Sequence, residues 1–461
     1  MHVFEKYKGV IKTMKFNEQK PKEQKSEERA HNFNEVCLGY TKEQAVEEAK
    51  RCLQCPVPMC EKGCPADISI KKFIKHIADE EFDLALKVIL EKNSLPGVCG
   101  RVCPAEEQCK KSCISKPAIN INFLERFVAD NSEKIIENVK KTGKKIAVVG
   151  SGPAGLACSS DLALLGYEVV VFEALHKPGG VLIYGIPEFR LPKKIVMNEV
   201  GYIKKLGVDV KLNSVVGKLF SVDELLKEYD TVFIATGAGL PYFLGIDGEN
   251  LNNVYSANEF LTRNNLMKSY KFPEYTTPIK RAKKTVVIGG GNVAIDSARV
   301  AKRLGSDVTI TYRRSRAEMP ARDEEIKHAE EEGIKFKFLT NPIKIIGKDD
   351  VEAVECIRMK LGEPDESGRR RPMPIEGSEF KIKCGQVIVA IGQGPNPLIG
   401  KTIDLNTGKK GNITVNEKYE TSIEKVYAGG DITSGSATVI KAISDGKKAA
   451  KIINKKLKGL K

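Results

Sequence analysis

Two groups of closely spaced cysteines are the most informative chemical feature of this sequence. Eight of the twelve cysteines lie between residues 52 and 113, directly ahead of a Gly-rich turn. The groups are Cys52-x2-Cys55-x4-Cys60-x3-Cys64 and Cys99-x3-Cys103-x5-Cys109-x3-Cys113. Four thiolates at such spacings can hold one 4Fe–4S cluster, so eight predict two clusters. Iron–sulfur clusters beside a dinucleotide-binding turn indicate electron transfer, and a disulfide framework is the alternative.

The first Gly-rich turn has the surroundings of a dinucleotide site. The apolar run 146–149 predicts a buried strand that leads into Gly150-Ser151-Gly152-Pro153-Ala154-Gly155, a helix to Leu165 and a strand over 168–172. The three glycines permit a tight turn, close approach of a pyrophosphate and close helix–strand packing. The helix N-terminus offers free N–H groups to the phosphates. Glu173 ends the second strand and can accept hydrogen bonds from an adenosine ribose.

A second unit of the same kind differs in charge where its second strand ends. The run 285–288 leads into Gly289-Gly290-Gly291-Asn292-Val293-Ala294, a helix to Leu304 and a strand ending at Tyr312. Arg313 and Arg314 follow, where the first unit has an acidic residue. Arginines suit a 2′-phosphate through charge-assisted hydrogen bonds, and no carboxylate is present for a free 2′-hydroxyl. The pattern favours NADP(H) over NAD(H), and the alternative is that both arginines are merely solvated.

Further turns follow apolar stretches elsewhere in the chain. Asp431, in Tyr427-Ala428-Gly429-Gly430-Asp431, can bind the ribityl hydroxyls of a flavin. The segment around Thr438 opens a C-terminal helix whose N-terminal dipole can stabilise negative charge on a reduced flavin ring. The runs Ala235-Thr236-Gly237 and Ala390-Ile391-Gly392 each follow an apolar strand.

The two Gly-rich turns each belong to a complete βαβ unit. Two such units in one chain predict two separate dinucleotide-binding domains.

The N-terminal part has a different pattern, which is helical. A helix is expected to begin at Thr41 as its N-cap and to carry Cys52 and Cys55 at its end. Residues 67–91 indicate two short helices with apolar faces. Residues 1–142 are therefore expected to form a small α-helical domain around metal, with residues 1–30 as a loosely held arm.

Composition and charge limit the class of protein. Hydrophobic residues make up 41% of the chain and charged residues 29%, which is ordinary for a globular protein. No apolar run approaches the roughly 20 residues that span a bilayer, and the first 30 residues lack the apolar core of a signal peptide. We therefore expect a cytoplasmic protein with no membrane partner. The net charge of +15 is spread along the chain without an aromatic-interleaved basic stripe, which argues against nucleic acid.

Two interpretations of the positive charge stay open. One is an ordinary solvated basic surface. The other is electrostatic steering of polyanionic nucleotides or of an acidic electron carrier.

Together these motifs resemble the glutamate synthase small subunit family. That family includes the large subunit of NADH-dependent ferredoxin:NADP oxidoreductase, and the sequence is also similar to the N-terminal half of dihydropyrimidine dehydrogenase. The resemblance begins at about residue 35 and continues over nearly all of the remaining chain. Beyond the two turns and the first cysteine group, it rests on Gly100-Arg101-Val102-Cys103-Pro104, Gly179-Gly180, Gly185-Ile186-Pro187-Glu188-Phe189-Arg190 and Gly429–Asp431.

The resemblance implies FAD in the first unit, NADP(H) in the second and two 4Fe–4S clusters in the helical domain. Gly180 and Arg190 would line the flavin. The implied fold is multidomain: an α-helical iron–sulfur domain and two Rossmann-like α/β domains, as in flavin disulfide reductases but without the redox disulfide. The expected divisions are 1–142 for the clusters, 143–279 and 393–461 for the two parts of the FAD-binding domain, and 280–392 for the NADP(H)-binding domain.

The resemblance also implies which residues hold each cluster. One cluster takes Cys52, Cys55 and Cys60 together with Cys113. The other takes Cys64, Cys103 and Cys109, with Glu125 as its non-cysteine ligand. Cys99 would then be spare, although its spacing looks like that of a ligand. Without the resemblance, the spacing favours two successive quartets, and Glu125 would be a surface helix residue paired with a lysine.

The mechanism implied is electron transfer without an acid–base catalyst. Flavin disulfide reductases need a cysteine pair near the flavin, whereas Cys158, Cys356 and Cys384 are isolated in sequence. The histidines have no ligand-like spacing and are expected to be structural; they are His2, His31, His76, His176 and His328. We therefore expect hydride transfer from NADPH to FAD, then single electrons through two clusters to a partner.

The identity of that partner is open at this stage. In one hypothesis the chain passes electrons from NADPH to a glutamate synthase large subunit, which makes glutamate from glutamine and 2-oxoglutarate. In another it is the FAD subunit of an electron-bifurcating NADH-dependent ferredoxin:NADP oxidoreductase, with a small FAD/2Fe–2S subunit and ferredoxin as partners. A remote alternative is a basic iron–sulfur protein that binds nucleic acid.

Overall fold

The computed structural model describes residues 17–136 and 138–459. Within these ranges no helix has both the length and the apolar composition that a membrane crossing needs. His2 and the first 16 residues of the expected arm lie outside the described residues.

The N-terminal part is helical, as predicted. Its helices are Ser26–Arg29, Lys42–Lys50, Met59–Lys62, Ile70–Ala78, Phe82–Leu90, Pro96–Val102 and Ile121–Asn131, with a 3₁₀ turn at Ala105–Glu107. Thr41 caps the second helix, because its hydroxyl accepts the N–H of Gln44 while the Gln44 side chain accepts the N–H of Thr41. The apolar faces of the two helices within 67–91 pack in one core with Cys64, Cys99 and Cys103. The helical part is thus built around its cysteine-bearing loops.

The first Gly-rich unit belongs to a five-stranded parallel sheet. The strand order is Val426–Ala428, Thr231–Ile234, Lys145–Val149, Glu168–Phe172 and Asp209–Lys211. Helices cover both faces, which explains the continuous apolar runs. They are Pro153–Leu164, Val181–Tyr184, Lys193–Lys205, Val222–Glu228, Leu398–Thr402, Asp431–Ser434 and Val439–Leu457. The central strand has neighbours from two different crossovers, which is where ligands bind in such sheets.

The second unit has its own five-stranded parallel sheet. The order is Val254–Ser256, Gln386–Val389, Lys284–Ile288, Asp307–Tyr312 and Lys335–Phe338. Its helices are Ala257–Asn265, Asn292–Arg303 and Asp323–Glu331, with 3₁₀ turns at Ser269–Lys271 and Arg316–Glu318. An antiparallel sheet follows, made of Thr340–Gly347, Val351–Pro364, Arg370–Pro374 and Phe380–Lys383. The predicted fold class, helical domain plus two dinucleotide-binding domains, is confirmed.

The chain crosses between the two parallel sheets twice, and the crossings pair with each other. Leu240–Pro241 leaves the first sheet and forms a two-stranded antiparallel ladder with Gln393–Gly394, which leaves the second. Because Val426–Ala428 then returns to the first sheet, that sheet is assembled from two separate stretches of chain.

The N-terminal arm is packed rather than loose from residue 17 onward. Arg29 is 3% exposed, and its guanidinium pairs with Glu331 and Glu332 at the end of a helix in the second unit. The carbonyl oxygen of Asn32 accepts the Nε–H of Arg303 at 2.8 Å. The expectation of a loosely held arm is therefore wrong for residues 17–30, because buried ion pairs hold this segment against the second unit.

Candidate functional site

The glycines of the first turn lack side chains for three different reasons. Gly150 has a φ of 101°, and a Cβ there would lie 2.5 Å from the carbonyl oxygen of Ala235. A Cβ on Gly155 would lie 2.0 Å from the carbonyl oxygen of Gly150. A Cβ on Gly152 would meet nothing within 4 Å. The turn thus presents bare backbone to open space, as close approach of a pyrophosphate requires.

Glu173 is buried where the second strand of this unit ends. Its Oε2 accepts the N–H of Ser151 at 2.9 Å and also the Ser151 hydroxyl, while its Oε1 accepts the N–H of Leu175 at 2.8 Å. A carboxylate has about four lone-pair positions, so one remains for a ribose hydroxyl. Glu173 therefore closes the turn and still has capacity to orient an adenosine.

The second turn repeats this construction. Gly289 has a φ of 145°, and a Cβ there would lie 2.2 Å from the carbonyl oxygen of Ala390. Gly291 has open space beside it, because a Cβ there would find its nearest neighbour, an atom of Pro320, 3.9 Å away. Asn292 begins the following helix, and its Oδ1 accepts the backbone N–H of Arg322 at 3.0 Å.

Both turns open into one cavity of about 1100 Å³. Most of the predicted cofactor-binding residues line it: Gly150, Gly152, Pro153, Ala154, Glu173, Gly180, Arg190, Gly289, Gly291, Asn292, Val293, Arg313, Arg314, Gly392, Asp431 and Thr438. Three others lie behind the wall and shape it by packing; they are Gly155, Ala294 and Gly430. Because both Gly-rich turns line it, the cavity suits a site where two cofactors meet.

Asp431 and Thr438 form the wall of this cavity nearest the C-terminal helix. Burial raises the pKa of Asp431 to about 6, and its Oδ1 accepts the N–H of Ala437 at 3.2 Å. The Thr438 hydroxyl accepts the N–H of Lys441 at 3.4 Å and so caps the helix Val439–Leu457. A polar carboxyl and a helix N-terminus therefore face the same space, as expected for a flavin site.

Arg190 lies in the cavity wall, where it was expected, but its guanidinium is engaged by protein carboxylates. Nη1 pairs with Asp296 at 2.7 Å, and Nε lies 2.9 Å from Glu325. Both carboxylates belong to the second unit, so Arg190 ties the two dinucleotide-binding units together. Sequence patterns do not predict this contact, because the residues are more than 100 positions apart.

The two arginines expected to hold a 2′-phosphate have unlike environments. Arg314 is buried, pairs with Asp365, and donates its Nε–H to the carbonyl oxygen of Arg370 at 2.9 Å. Arg313 is exposed, lines the cavity, and forms no ion pair with any residue in the described ranges. Arg313 therefore has free donors for an anion, whereas Arg314 anchors the hairpin after strand Val351–Pro364.

The fold brings the cysteines together in two groups that interleave along the sequence. Cys52, Cys55, Cys60 and Cys113 line one small cavity, which we call the first cysteine group. Burial raises the pKa of Cys60 to about 12 together with charge repulsion from the nearby Cys113 and Cys52. Cys64, the next cysteine in sequence, does not line this cavity.

Cys64, Cys103, Cys109 and Glu125 form the second cysteine group. Burial raises the pKa of Cys109, and the charges of Cys103, Cys64 and Glu125 raise it further. The Glu125 carboxyl is buried and accepts a hydrogen bond from Asn93 Nδ2 at 2.7 Å; burial raises its pKa to about 7. Cys99 is also buried beside Cys103 and Glu125, so the choice between Cys99 and Glu125 as fourth ligand stays a prediction.

The loop that carries Cys103 and Cys109 lies against the dinucleotide cavity. Val102 and Pro104, on either side of Cys103, line the cavity wall. Gln108 donates its Nε2–H to the Thr438 hydroxyl at 3.4 Å. The loop thus separates the dinucleotide cavity from the second cysteine group by a single layer of residues.

No cysteine of the described chain lines the dinucleotide cavity. Cys158 is buried in the helix after the first turn. Cys356 and Cys384 lie near each other, isolated only in sequence, in a separate core of the second unit. A disulfide relay at the flavin therefore has no candidate residues within the described ranges.

The histidine expected to be structural at position 328 belongs to an ion-pair cluster. His328, Glu23 and Glu324 place one ligand-capable atom each within 4.8 Å of the others. Arg29 pairs with Glu23 at 3.5 Å, and Arg322 pairs with Glu324 at 2.7 Å. These cations already satisfy the carboxylates, which agrees with a structural role.

Family comparisons agree with this division of the chain. Residues 144–446 match the pyridine nucleotide-disulphide oxidoreductase family, and residues 29–136 match the 4Fe-4S cluster domain called dihydropyrimidine dehydrogenase domain II. The described fold and the two matches therefore support the same assignment of an iron–sulfur part and a dinucleotide-binding part.

Several relatives have similar sequences. The small chain of NADPH glutamate synthase from Escherichia coli is 36% identical over 442 residues, which cover 92% of this chain and 93% of that one. The corresponding chain from Halomonas elongata is 34% identical, with 94% of each covered. Subunit beta of the NADP(+)-dependent formate dehydrogenase from Moorella thermoacetica is 40% identical, but this chain spans only 60% of its length.

Solved structures share the fold of the dinucleotide-binding part. FprA from Mycobacterium tuberculosis, in complex with NADPH, has a TM-score of 0.57 at 23% identity and covers 68% of this chain and 85% of its own. Thioredoxin reductase from Lactococcus lactis has a TM-score of 0.53 at 22% identity, and the match covers 69% of this chain and 100% of the reductase.

Proposed function

The chain belongs to the pyridine nucleotide-disulphide oxidoreductase family, within the group of glutamate synthase small chains, and from this membership we propose that it is an NADPH-oxidising electron-transfer subunit. FAD, when bound, supplies the chemistry that accepts the electron pair of a hydride and releases it as single electrons. The protein's own part is to bind, orient and insulate. Its iron–sulfur part provides the exit toward a partner subunit.

The observation that carries this proposal is the shared wall between the cavity and the second cysteine group. Val102 and Pro104 face the dinucleotide cavity, while Cys103 between them belongs to the cysteine group. Gln108 contacts the residue that caps the C-terminal helix. An electron leaving the cavity therefore has a short route into the helical part, and no cavity-lining thiol of the described chain competes for it.

Each set of residues has a defined task in this proposal. The bare backbone at Gly152 and Gly291 accommodates phosphates, Glu173 orients the flavin's adenosine, and Arg313 receives the 2′-phosphate of NADPH. The first and second cysteine groups supply thiolates, the usual ligands of iron–sulfur clusters. No side chain is assigned an acid–base step, because hydride transfer requires orientation rather than a proton at a protein atom.

The finer proposal is that the partner is a glutamate synthase large subunit. Support comes from similarity along the aligned residues: the glutamate synthase small chains are 34–36% identical and are matched over 93–94% of their own residues. The formate dehydrogenase subunit and the NADPH-Fe(3+) oxidoreductase subunit beta of Geobacter sulfurreducens are matched over 60% and 63%. The alignment thus takes in nearly all of the first kind of subunit and about three fifths of the second.

Three measurements test the proposal: cofactor content, ferricyanide reduction and glutamate formation. Protein reconstituted anaerobically should hold about eight irons and one FAD and should reduce ferricyanide with NADPH. Mixed with a glutamate synthase large subunit, it should form glutamate from glutamine and 2-oxoglutarate. Cys113→Ser should keep NADPH-dependent ferricyanide reduction but abolish glutamate formation, while Cys37→Ser, a cysteine outside both groups, should change neither.

The contrary outcomes separate the coarse proposal from the finer one. Iron-free protein that retains zinc would refute electron transfer through the helical part. Full ferricyanide activity without glutamate formation would refute the glutamate synthase partner alone. Native co-purification with a small FAD/2Fe–2S subunit would then identify the bifurcating transhydrogenase.

A further inference from the structure

One buried arginine connects the second Gly-rich turn to the loop between two cysteines of the second group. Arg322 is 4% exposed and lines the dinucleotide cavity. Its backbone N–H donates to Asn292 Oδ1 at 3.0 Å, so it is tied to the first residue of the helix that follows the turn.

The guanidinium of Arg322 points the other way, into the helical part. Nε donates to Glu106 Oε1 at 2.8 Å, and Nη2 lies 3.2 Å from Glu106 Oε2. Nη2 also donates to Glu324 Oε2 at 2.7 Å. Glu106 sits in the 3₁₀ turn Ala105–Glu107, midway between Cys103 and Cys109. Two nitrogens on two oxygens make this a bidentate pair with fixed geometry.

We propose that the Glu106–Arg322 pair couples the binding of a dinucleotide phosphate at the second turn to the charge carried by the second cysteine group. The inference rests on the proposed function, because it takes an iron–sulfur cluster in that group and NADP(H) at that turn. Arg322 is the cation that both anionic sites share. A phosphate at the turn draws the guanidinium toward the cavity, and an added electron on the cluster side draws it toward Glu106.

The sign of the coupling follows from that competition. Reducing the cluster adds one negative charge, which strengthens the hold on Arg322 and weakens phosphate binding. By thermodynamic linkage, phosphate binding must make the cluster harder to reduce by the same factor. The side chains of Arg322 and Glu106 are 5% and 31% exposed, so salt screens the pair less than it screens fully exposed charges, whose interaction fades over about 10 Å.

The sequence supplies a matched control one residue away. Glu107 lies in the same 3₁₀ turn but is exposed, and it forms no ion pair within the described residues. Glu106→Gln and Glu107→Gln each remove one negative charge from this turn. Only the first removes the carboxylate that holds Arg322.

The test uses reconstituted holoenzyme and adenosine 2′,5′-bisphosphate. This probe carries phosphates at the 2′ and 5′ positions, as the adenosine half of NADP(H) does, and it cannot be reduced. Its Kd is measured by calorimetry on oxidised protein and on protein reduced with dithionite, the electron donor. The wild type should bind it about fivefold or more weakly when reduced, the lower end of typical coupling energies. In Glu106→Gln the ratio of the two Kd values should fall close to one, whereas Glu107→Gln should keep the wild-type ratio.

Each contrary result has a separate meaning. Equal Kd values in the two states of the wild type would overturn the coupling and leave the proposed function intact. Absence of binding in both states would overturn the coupling together with the NADP(H) assignment. A wild-type ratio in Glu106→Gln would overturn the role of this pair. If Glu106→Gln loses iron, Arg322→Lys takes its place, because it keeps the charge but not the bidentate geometry. Its ratio of reduced to oxidised Kd must then be lower than that of the wild type, or the inference is wrong.

Discussion

The unlike environments of Arg313 and Arg314 lead to different expectations for two neighbouring substitutions. Arg313 is exposed at the cavity and forms no ion pair within the described part of the chain, so its removal should affect coenzyme binding and not folding. A hydrogen bond to a charged group contributes about 1.5–3 kcal/mol. Since about 1.4 kcal/mol is tenfold in binding, Arg313→Ala should raise the KM for NADPH roughly 10- to 100-fold. The KM for NADH, which lacks the 2′-phosphate, should hardly change.

Arg314→Ala should instead reduce stability. The side chains of Arg314 and Asp365 are 5% and 22% exposed, and Arg314 also satisfies the carbonyl oxygen of Arg370. Breaking a fully buried pair costs about 3–5 kcal/mol. Because Asp365 is partly solvated, we expect a smaller loss of about 1–3 kcal/mol in the free energy of unfolding. Any change in KM should then be similar for NADPH and NADH.

The assay compares ferricyanide reduction with each coenzyme and unfolding in urea for both variants. Arg371→Ala, an exposed arginine on the same hairpin that does not line the cavity, is the control and should behave as wild type. An equal rise in KM for both coenzymes in Arg313→Ala would remove its 2′-phosphate role. If Arg314→Ala alone lost the preference for NADPH, the assignment would be reversed.

The burial of individual groups leads to three further predictions. Arg29→Met should lower the free energy of unfolding by about 1–3 kcal/mol and speed proteolysis of the arm, as limited digestion will show; unchanged digestion would mean that the arm is held by other contacts. Cys99→Ala should retain both clusters, while Glu125→Ala should alter the EPR signal of one, and the reverse pattern would favour two successive quartets. Burial raises the pKa of Asp431 from 3.8 to about 6, so in FAD-free protein its stabilising contribution is complete below about pH 4 and is lost as the pH rises through about 6. Asp431→Asn should therefore be more stable than wild type by about 1–3 kcal/mol at pH 8 and equal to it near pH 4; a pH-independent difference would contradict this.

The parts of the site that sequence predicts well are local. Strand, turn and helix follow one another within about 25 residues around Gly152 and around Gly291, so periodicity and glycine spacing were sufficient. The interleaved cysteine groups are not local, and spacing alone favoured two quartets. The division between Arg313 and Arg314 had no such signal. Both follow the strand that ends at Tyr312, in a bend where strand alternation does not apply, and the partner of Arg314, Asp365, is 51 positions away.

Contacts between distant residues were beyond sequence reasoning, because a lysine-rich or arginine-rich segment looks the same whether it is solvated or buried. Arg29 reaches Glu332 across 303 positions, and Arg322 reaches Glu106 across 216. With Arg190, these arginines join the second unit to the arm, the cysteine-bearing loop and the flavin side of the cavity. A buried ion pair adds little net stability, yet removal of one partner is costly. Such pairs therefore penalise any other placement of the second unit, and they act together with apolar contacts, because Val36 of the arm and Phe189 of the first unit pack in the core of the second.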